Sequence, residues 1–326
     1  LGGGVARSLH CAAPAAGQRR AMGARMTTGI TVLDTMLPIV AGQRIGLFAG
    51  SGVGKSTLLG QLARRMEADV CVLALVGERG REVSDFVRDV LGLDGMKRSV
   101  VMAATSDMPA SLRRRSAFAA MTVAEHFRDR GARVLFLLDS VTRLAEAHRE
   151  VACAAGESSE LRGYPPSLTP VLAGLAERAG PGSDGQGDIT AIFSVLVAGS
   201  DMEEPVADIV RGQLDGHVVL SREIAEAGRF PAVDVLRSVS RSLPAAARPE
   251  ENALITEARR MLGVYDRAEL MVTSGLYERG SNPEIDRATA IVPRLNDLFA
   301  QTDLPSMDEG FRRVGALLGL PFTGRG

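Results

Sequence analysis

The segment Gly46-Leu47-Phe48-Ala49-Gly50-Ser51-Gly52-Val53-Gly54-Lys55-Ser56-Thr57 sets three glycines within five residues, Gly50 to Gly54, between an apolar run and a helix-forming run. Arg44 to Ala49 reads as a short strand and Lys55 to Met66 as a helix, so the glycine-rich turn joins strand to helix. Glycines there let successive backbone N–H groups turn inward around phosphate oxygens, and the helix N-terminus adds its positive dipole end. Lys55 is placed to neutralise the outer phosphates, and Ser56 to hold a magnesium ion. The residues expected to wrap the nucleotide are Gly50, Ser51, Gly52, Val53, Gly54, Lys55, Ser56 and Thr57. Ala49 stands where this pattern usually begins with glycine, and its small side chain still fits. The expected ligand is ATP with Mg2+.

Working outward, Val70 to Val76 is a continuous apolar run, as is Val134 to Leu138, and both read as strands buried on two faces. Ile189 to Val197 and His217 to Leu220 complete five strands. Arg81 to Leu91 and Ala110 to Arg130 read as helices, the second from Ala117, Ala120, Met121, Ala124 and Phe127 at helical spacing. The alternation predicts an α/β fold with a parallel sheet covered by helices. Residues 1 to 26 are rich in Gly, Ala and Arg without periodicity and read as a flexible leader or linker remnant. The nucleotide-binding domain is expected over 27–249. After the connector Pro244 to Pro249, helices broken by Gly275, Gly280, Pro283 and Pro305 form a small C-terminal domain over 250–326.

Composition narrows the function classes. The 326 residues carry 45% hydrophobic side chains, enough for a sizeable core and about two compact units. With 38 basic and 39 acidic residues, the net charge of -1 offers no footprint for gripping a phosphate backbone, and no nucleic acid is expected. Cys11, Cys71 and Cys153 are odd in number and far apart, which argues against a disulfide framework and suits a reducing compartment. Neither they nor His10, His126, His148 and His217 fall at metal-ligand spacing, so no structural metal is expected. The longest apolar runs are far short of the ~18 residues a spanning helix needs.

Two carboxylates are candidates for chemistry. Glu78, in Val76-Gly77-Glu78-Arg79-Gly80-Arg81-Glu82, follows the second strand, and strand C-terminal ends face the ligand in open α/β sheets. It reads equally as a water-orienting acid or as a helix-start acid favoured by the dipole, as Glu82 does. Asp139 ends the strand Val134 to Leu138, the arrangement of a carboxylate holding magnesium through water. An aspartate after an apolar strand is common, and the upstream phosphate loop is what gives this one weight.

These strings resemble the flagellar and type III secretion protein-export ATPases, relatives of the catalytic subunits of rotary ATP synthases. Further matches are Gly163-Tyr164-Pro165-Pro166-Ser167, Leu214-Asp215-Gly216-His217-Val218-Val219-Leu220-Ser221-Arg222 and Ala227-Gly228-Arg229-Phe230-Pro231-Ala232-Val233-Asp234. The likeness runs from about residue 40 to 290. It implies a RecA-like P-loop NTPase fold, with Glu78 as the catalytic carboxylate, Arg79 near the γ-phosphate and Asp139 as the magnesium-linked acid. Arg241, in Ser238-Val239-Ser240-Arg241, matches an arginine finger that enters the neighbouring subunit's site. Phe230 matches an aromatic that packs on adenine, with Tyr277 as a second wall; either reads otherwise as an ordinary core aromatic. The resemblance also implies a cytoplasmic homo-hexamer, peripheral to the inner membrane through export-apparatus proteins. Its other partners would be stalk and regulator subunits, cargo and chaperones. A β-barrel domain ahead of the ATPase domain belongs to the pattern, and residues 1 to 26 are too few to form it. An injectisome ATPase, a rotary-synthase catalytic subunit and a non-catalytic ring subunit remain as alternatives, the last disfavoured by the presence of Lys55 and Glu78.

Overall fold

The computed structural model describes residues 5–159, 163–197 and 202–324; the first four residues of the leader and Ala198 lie outside the described residues. In chain order the elements are β1 (Arg25–Met26), α1 (Thr31–Met36), β2 (Ile39–Val40), β3 (Arg44–Ala49), α2 (Lys55–Arg65), β4 (Val70–Val76), α3 (Gly80–Asp85), a π-helical stretch Phe86–Leu91, and α4 (Gly92–Met96). They continue with β5 (Ser99–Ala104), α5 (Ala110–Arg128), β6 (Val134–Asp139), α6 (Val141–Ala154), α7 (Leu168–Arg178), β7 (Gly180–Pro181), β8 (Asp188–Leu196) and α8 (Pro205–Gln213). The last are β9 (Gly216–Leu220), α9 (Arg222–Glu226), β10 (Val233–Ser240), α10 (Pro249–Thr273), α11 (Pro283–Phe299) and α12 (Met307–Leu318).

The main sheet runs β10-β9-β3-β8-β6-β4-β5, with β7 beside β8. From β9 to β5 the pairings are parallel, as the apolar runs predict. Alternation along each strand divides the core in two. Leu47, Leu73, Leu75, Leu135, Leu137 and Ile192 face α2 and the C-terminal helices. Phe48, Val72, Ala74, Phe136, Leu138 and Phe193 face α5, α6 and α7. Helices on both faces explain why these strands carry no polar face.

Several local expectations are corrected. The helix read over Arg81 to Leu91 is α3 followed by the π-helical stretch. β5, an edge strand with partly exposed residues over the apolar run Val100 to Ala104, is missing from the five strands expected. β10 is likewise hidden and is the antiparallel edge, with a bulge between Asp234 and Val239 that blurs its alternation. The leader is not free: Arg7 pairs with Asp129 at 2.6 Å, Arg20 with Asp188 at 2.6 Å, and Arg19 donates to the Ala179 carbonyl at 2.9 Å. Met26 pairs with Ile39 in the small β1-β2 sheet.

The C-terminal helices start where their sequence caps them. Asn282 accepts from the Glu284 and Ile285 N–H groups ahead of α11, and Ser306 from Glu309 ahead of α12. Their apolar faces close on one another and on α1 through Leu33, Leu254, Met261, Leu295, Phe299 and Phe311.

Candidate active site

β3 ends at buried Ala49, and the chain turns through Gly52 and Gly54, both at positive φ (79° and 85°), into α2. Gly54 caps α2 with no side-chain bond, so the first N–H groups of the helix have no intrahelical acceptor and point out of its N-terminus. This mouth opens into a cleft of about 970 Å³ along the C-terminal ends of β3, β4, β6 and β8. A smaller cavity of about 530 Å³ lies apart from it, between β10 and the C-terminal helices.

Within the cleft the Lys55 ammonium bonds the Asp139 carboxylate. Asp139 Oδ1 also accepts from Ser194 Oγ at 2.6 Å. Asp139 is only 5% exposed, so these two donors take the place of water around its carboxylate. Glu78 stands one residue past Gly77, whose φ of 73° turns the chain off β4; a Cβ there would come within 2.9 Å of the Arg143 Cβ. Burial, aided by the Asp139 charge and opposed by Lys55, pushes the Glu78 carboxyl from its ordinary 4.5 up to about 7, with Glu82 adding to the rise. Glu78 Oε1 and Arg143 Nε are both buried without a protein partner among the described residues, and both residues line the cleft. A carboxylate able to accept from water and a guanidinium able to pair with an anion suit a triphosphate and its attacking water. Asp139 and the exposed Ser56 hydroxyl form the hard oxygen set that suits Mg2+ alongside phosphate oxygens.

The other expected residues separate. Arg79 is at the cleft, 81% exposed at its side chain, with Glu82 at 3.4 Å. Phe230 is half exposed beside the phosphate loop, where a Cβ on Gly54 would meet its ring at 3.2 Å. Arg241 lies just beyond β10, exposed, outside its own chain's cleft, and its side chain makes no hydrogen bond or ion pair among the described residues. Tyr277 sits in the turn between α10 and α11, where its single hydroxyl proton is shared between the Asn282 carbonyl at 2.9 Å and Asp286 at 3.1 Å. It is not among the residues that line the cleft.

Arg143, Ser194 and the Arg113–Glu150 pair escape a reading of the sequence. Arg143, Glu146 and Glu150 fall at helical spacing on α6, directly after Asp139, and that polar stripe is the available signal. Arg143 bonds Glu146 at 2.9 Å, which with Glu78 and Glu82 nearby raises its pKa further. The Gly163 to Ser167 string is tied to α6 as well: Ser167 donates to Glu157 at 2.6 Å and meets His148 at 2.8 Å.

A phosphate-binding loop after β3, a buried carboxylate two strands across the sheet at the end of β6 and a second carboxylate just past β4 define a P-loop nucleoside-triphosphatase. Residues 29–240 match the model of the ATP synthase alpha/beta family, nucleotide-binding domain, and residues 247–309 match the T3SS EscN ATPase C-terminal domain. The "Flagellum-specific ATP synthase" of Bacillus subtilis (strain 168) is 47% identical over 297 residues, covering 90% of this chain and 67% of the relative. The assembled ATPase EscN of the enteropathogenic E. coli type III secretion system superposes with a TM-score of 0.90 at 40% identity, over 96% of this chain and 76% of that one. EscN in complex with its central stalk EscO gives a TM-score of 0.87 at 40% identity, over 96% and 75%. The chain belongs to the ATP synthase alpha/beta family, in the branch of the flagellar and type III secretion ATPases, and is an ATP-hydrolysing enzyme.

Proposed function

We propose that this chain hydrolyses ATP at the interfaces of a homo-hexameric ring and so energises protein export through the flagellar type III apparatus. The observation that carries the reading is Glu78, held in the phosphate-loop cleft with one oxygen unpartnered and its carboxyl pushed up to about 7. Identities of 43% to 49% with flagellum-specific relatives, against 43% with a type 3 secretion system ATPase, favour flagellar over injectisome export. The domain limits that go with this reading are 27–249 for the ATPase domain and 250–326 for the helical one.

In this mechanism the loop N–H groups and Lys55 hold the phosphates, and Phe230 supports the adenine. Glu78 orients the water for in-line attack on the γ-phosphate. Arg79, Arg143 and Arg241 from the next subunit face the charge that develops on the transferred group. Mg2+, held by Ser56 and through water by Asp139, would neutralise phosphate charge. A central stalk like that seen with EscN, a regulator subunit, cargo and chaperones are the proposed partners, with any membrane association made through them. No helix among the described residues is long and apolar enough to cross a membrane.

Replacing Glu78 by Gln tests the core of this reading. Hydrolysis of Mg-ATP should fall by about a hundredfold or more, while fluorescent-ATP binding persists. Retained turnover in Glu78→Gln would sink the assignment.

A further inference from the structure

We infer that Ser194 is a positioning residue for nucleotide binding: its hydroxyl keeps Asp139 partnered when Lys55 transfers from that carboxylate to a phosphate. The inference rests on the active-site reading above.

Asp139 Oδ1 is shared between a mobile donor and a fixed one. The mobile donor is Lys55, at the start of α2 on a long flexible stem. The fixed donor is Ser194, fully buried on β8, an interior strand paired with β3 and β6. Leu138 lies opposite Phe193 in the β6-β8 register, so Asp139 and Ser194 are the next pair across the two strands. Ser194 Oγ donates to Asp139 at 2.6 Å, and its neighbours Ile192, Phe193 and Val195 are apolar.

The same lysine is needed by Asp139 and by the phosphates. A phosphate that draws Lys55 away leaves a carboxylate that is 5% exposed, and a buried charge stripped of its partners is costly. Ser194 prevents that outcome because its bond does not move. With alanine there, Lys55 is the sole side-chain donor left to Asp139 among the described residues, so the lysine is held back and the phosphates bind more weakly. A metal-bound water would supply Asp139 with a replacement donor, so the defect should be largest without Mg2+.

The test is fluorescent-ATP binding to the wild type, Ser194→Ala, Asp139→Asn and the double variant, each in EDTA and in Mg2+, with thermal melting alongside. The expected result is affinity lowered by about tenfold in EDTA for Ser194→Ala, with a smaller loss in Mg2+. In the Asp139→Asn background, adding Ser194→Ala should change affinity by less than about twofold, because no buried charge remains to be partnered. An equal loss with and without Mg2+, or a loss that persists in the Asp139→Asn background, would overturn the inference and leave Ser194 as packing. A wild type that fails to bind ATP would overturn the active-site reading itself.

Discussion

Glu78 carries the sharpest residue-level consequence. Its carboxyl is moved from 4.5 to about 7 by burial and by Asp139, so the ionised form that orients water is reached only as pH rises through about 7. The value of kcat/KM for Mg-ATP should therefore climb across that range and level off above it. A profile already flat from about pH 5.5 upward would contradict the assigned environment. Stability runs the opposite way. The folded chain binds this proton more tightly than the unfolded chain, so the stabilising contribution is fully present below about 4.5 and lost as pH rises through about 7. Glu78→Gln, which never carries the charge, should melt above the wild type at about pH 8 and level with it at about pH 4. At this scale the sequence marks Lys55 through the glycines before it and Glu78 and Asp139 as candidates at strand ends, while the roles expected of the two carboxylates come from the family resemblance. Arg143 and Ser194 are not legible, because a helical arginine and a strand serine become site residues only when β6, β8 and α6 are set side by side.

Among the elements, α5 and α7 are joined under the sheet by a buried ion pair. Arg178 on α7 donates to both Glu125 oxygens on α5, at 2.8 and 2.6 Å, with side-chain exposures of 3% and 4%. Two further N–H groups go to Thr122 Oγ at 2.9 Å and to the leader's Leu9 carbonyl at 2.7 Å. Glu125→Ala leaves a buried guanidinium without its counter-charge and should cost about 3 kcal/mol or more. A drop in melting temperature on the order of 5 to 10 °C is the expected reading, and an unchanged melt would contradict it. The central parallel strands are legible because burial on two faces demands unbroken apolar runs such as Val70–Val76. The leader's attachment is not, since its contacts are made by arginines to carbonyls and carboxylates more than a hundred residues away.

At the scale of the whole molecule, the cleft residues and Arg241, the two halves of the proposed site, lie on different surfaces of one chain. Glu78, Lys55 and Arg79 face the cleft, whereas Arg241 is exposed beyond the β10 edge and outside it. In the proposed head-to-tail ring these surfaces would meet, each cleft receiving an arginine from its neighbour. The measurement that tests this most directly is Mg-ATP hydrolysis by mixed variant chains. Arg241→Ala and Glu78→Gln should each be nearly inactive alone, the former by about a thousandfold. Mixed in equal amounts, they should recover about a quarter of wild-type activity, the random share of interfaces that join an intact Glu78 to an intact Arg241. Full activity in Arg241→Ala alone, or a mixture no more active than its parts, would contradict a site built across two subunits.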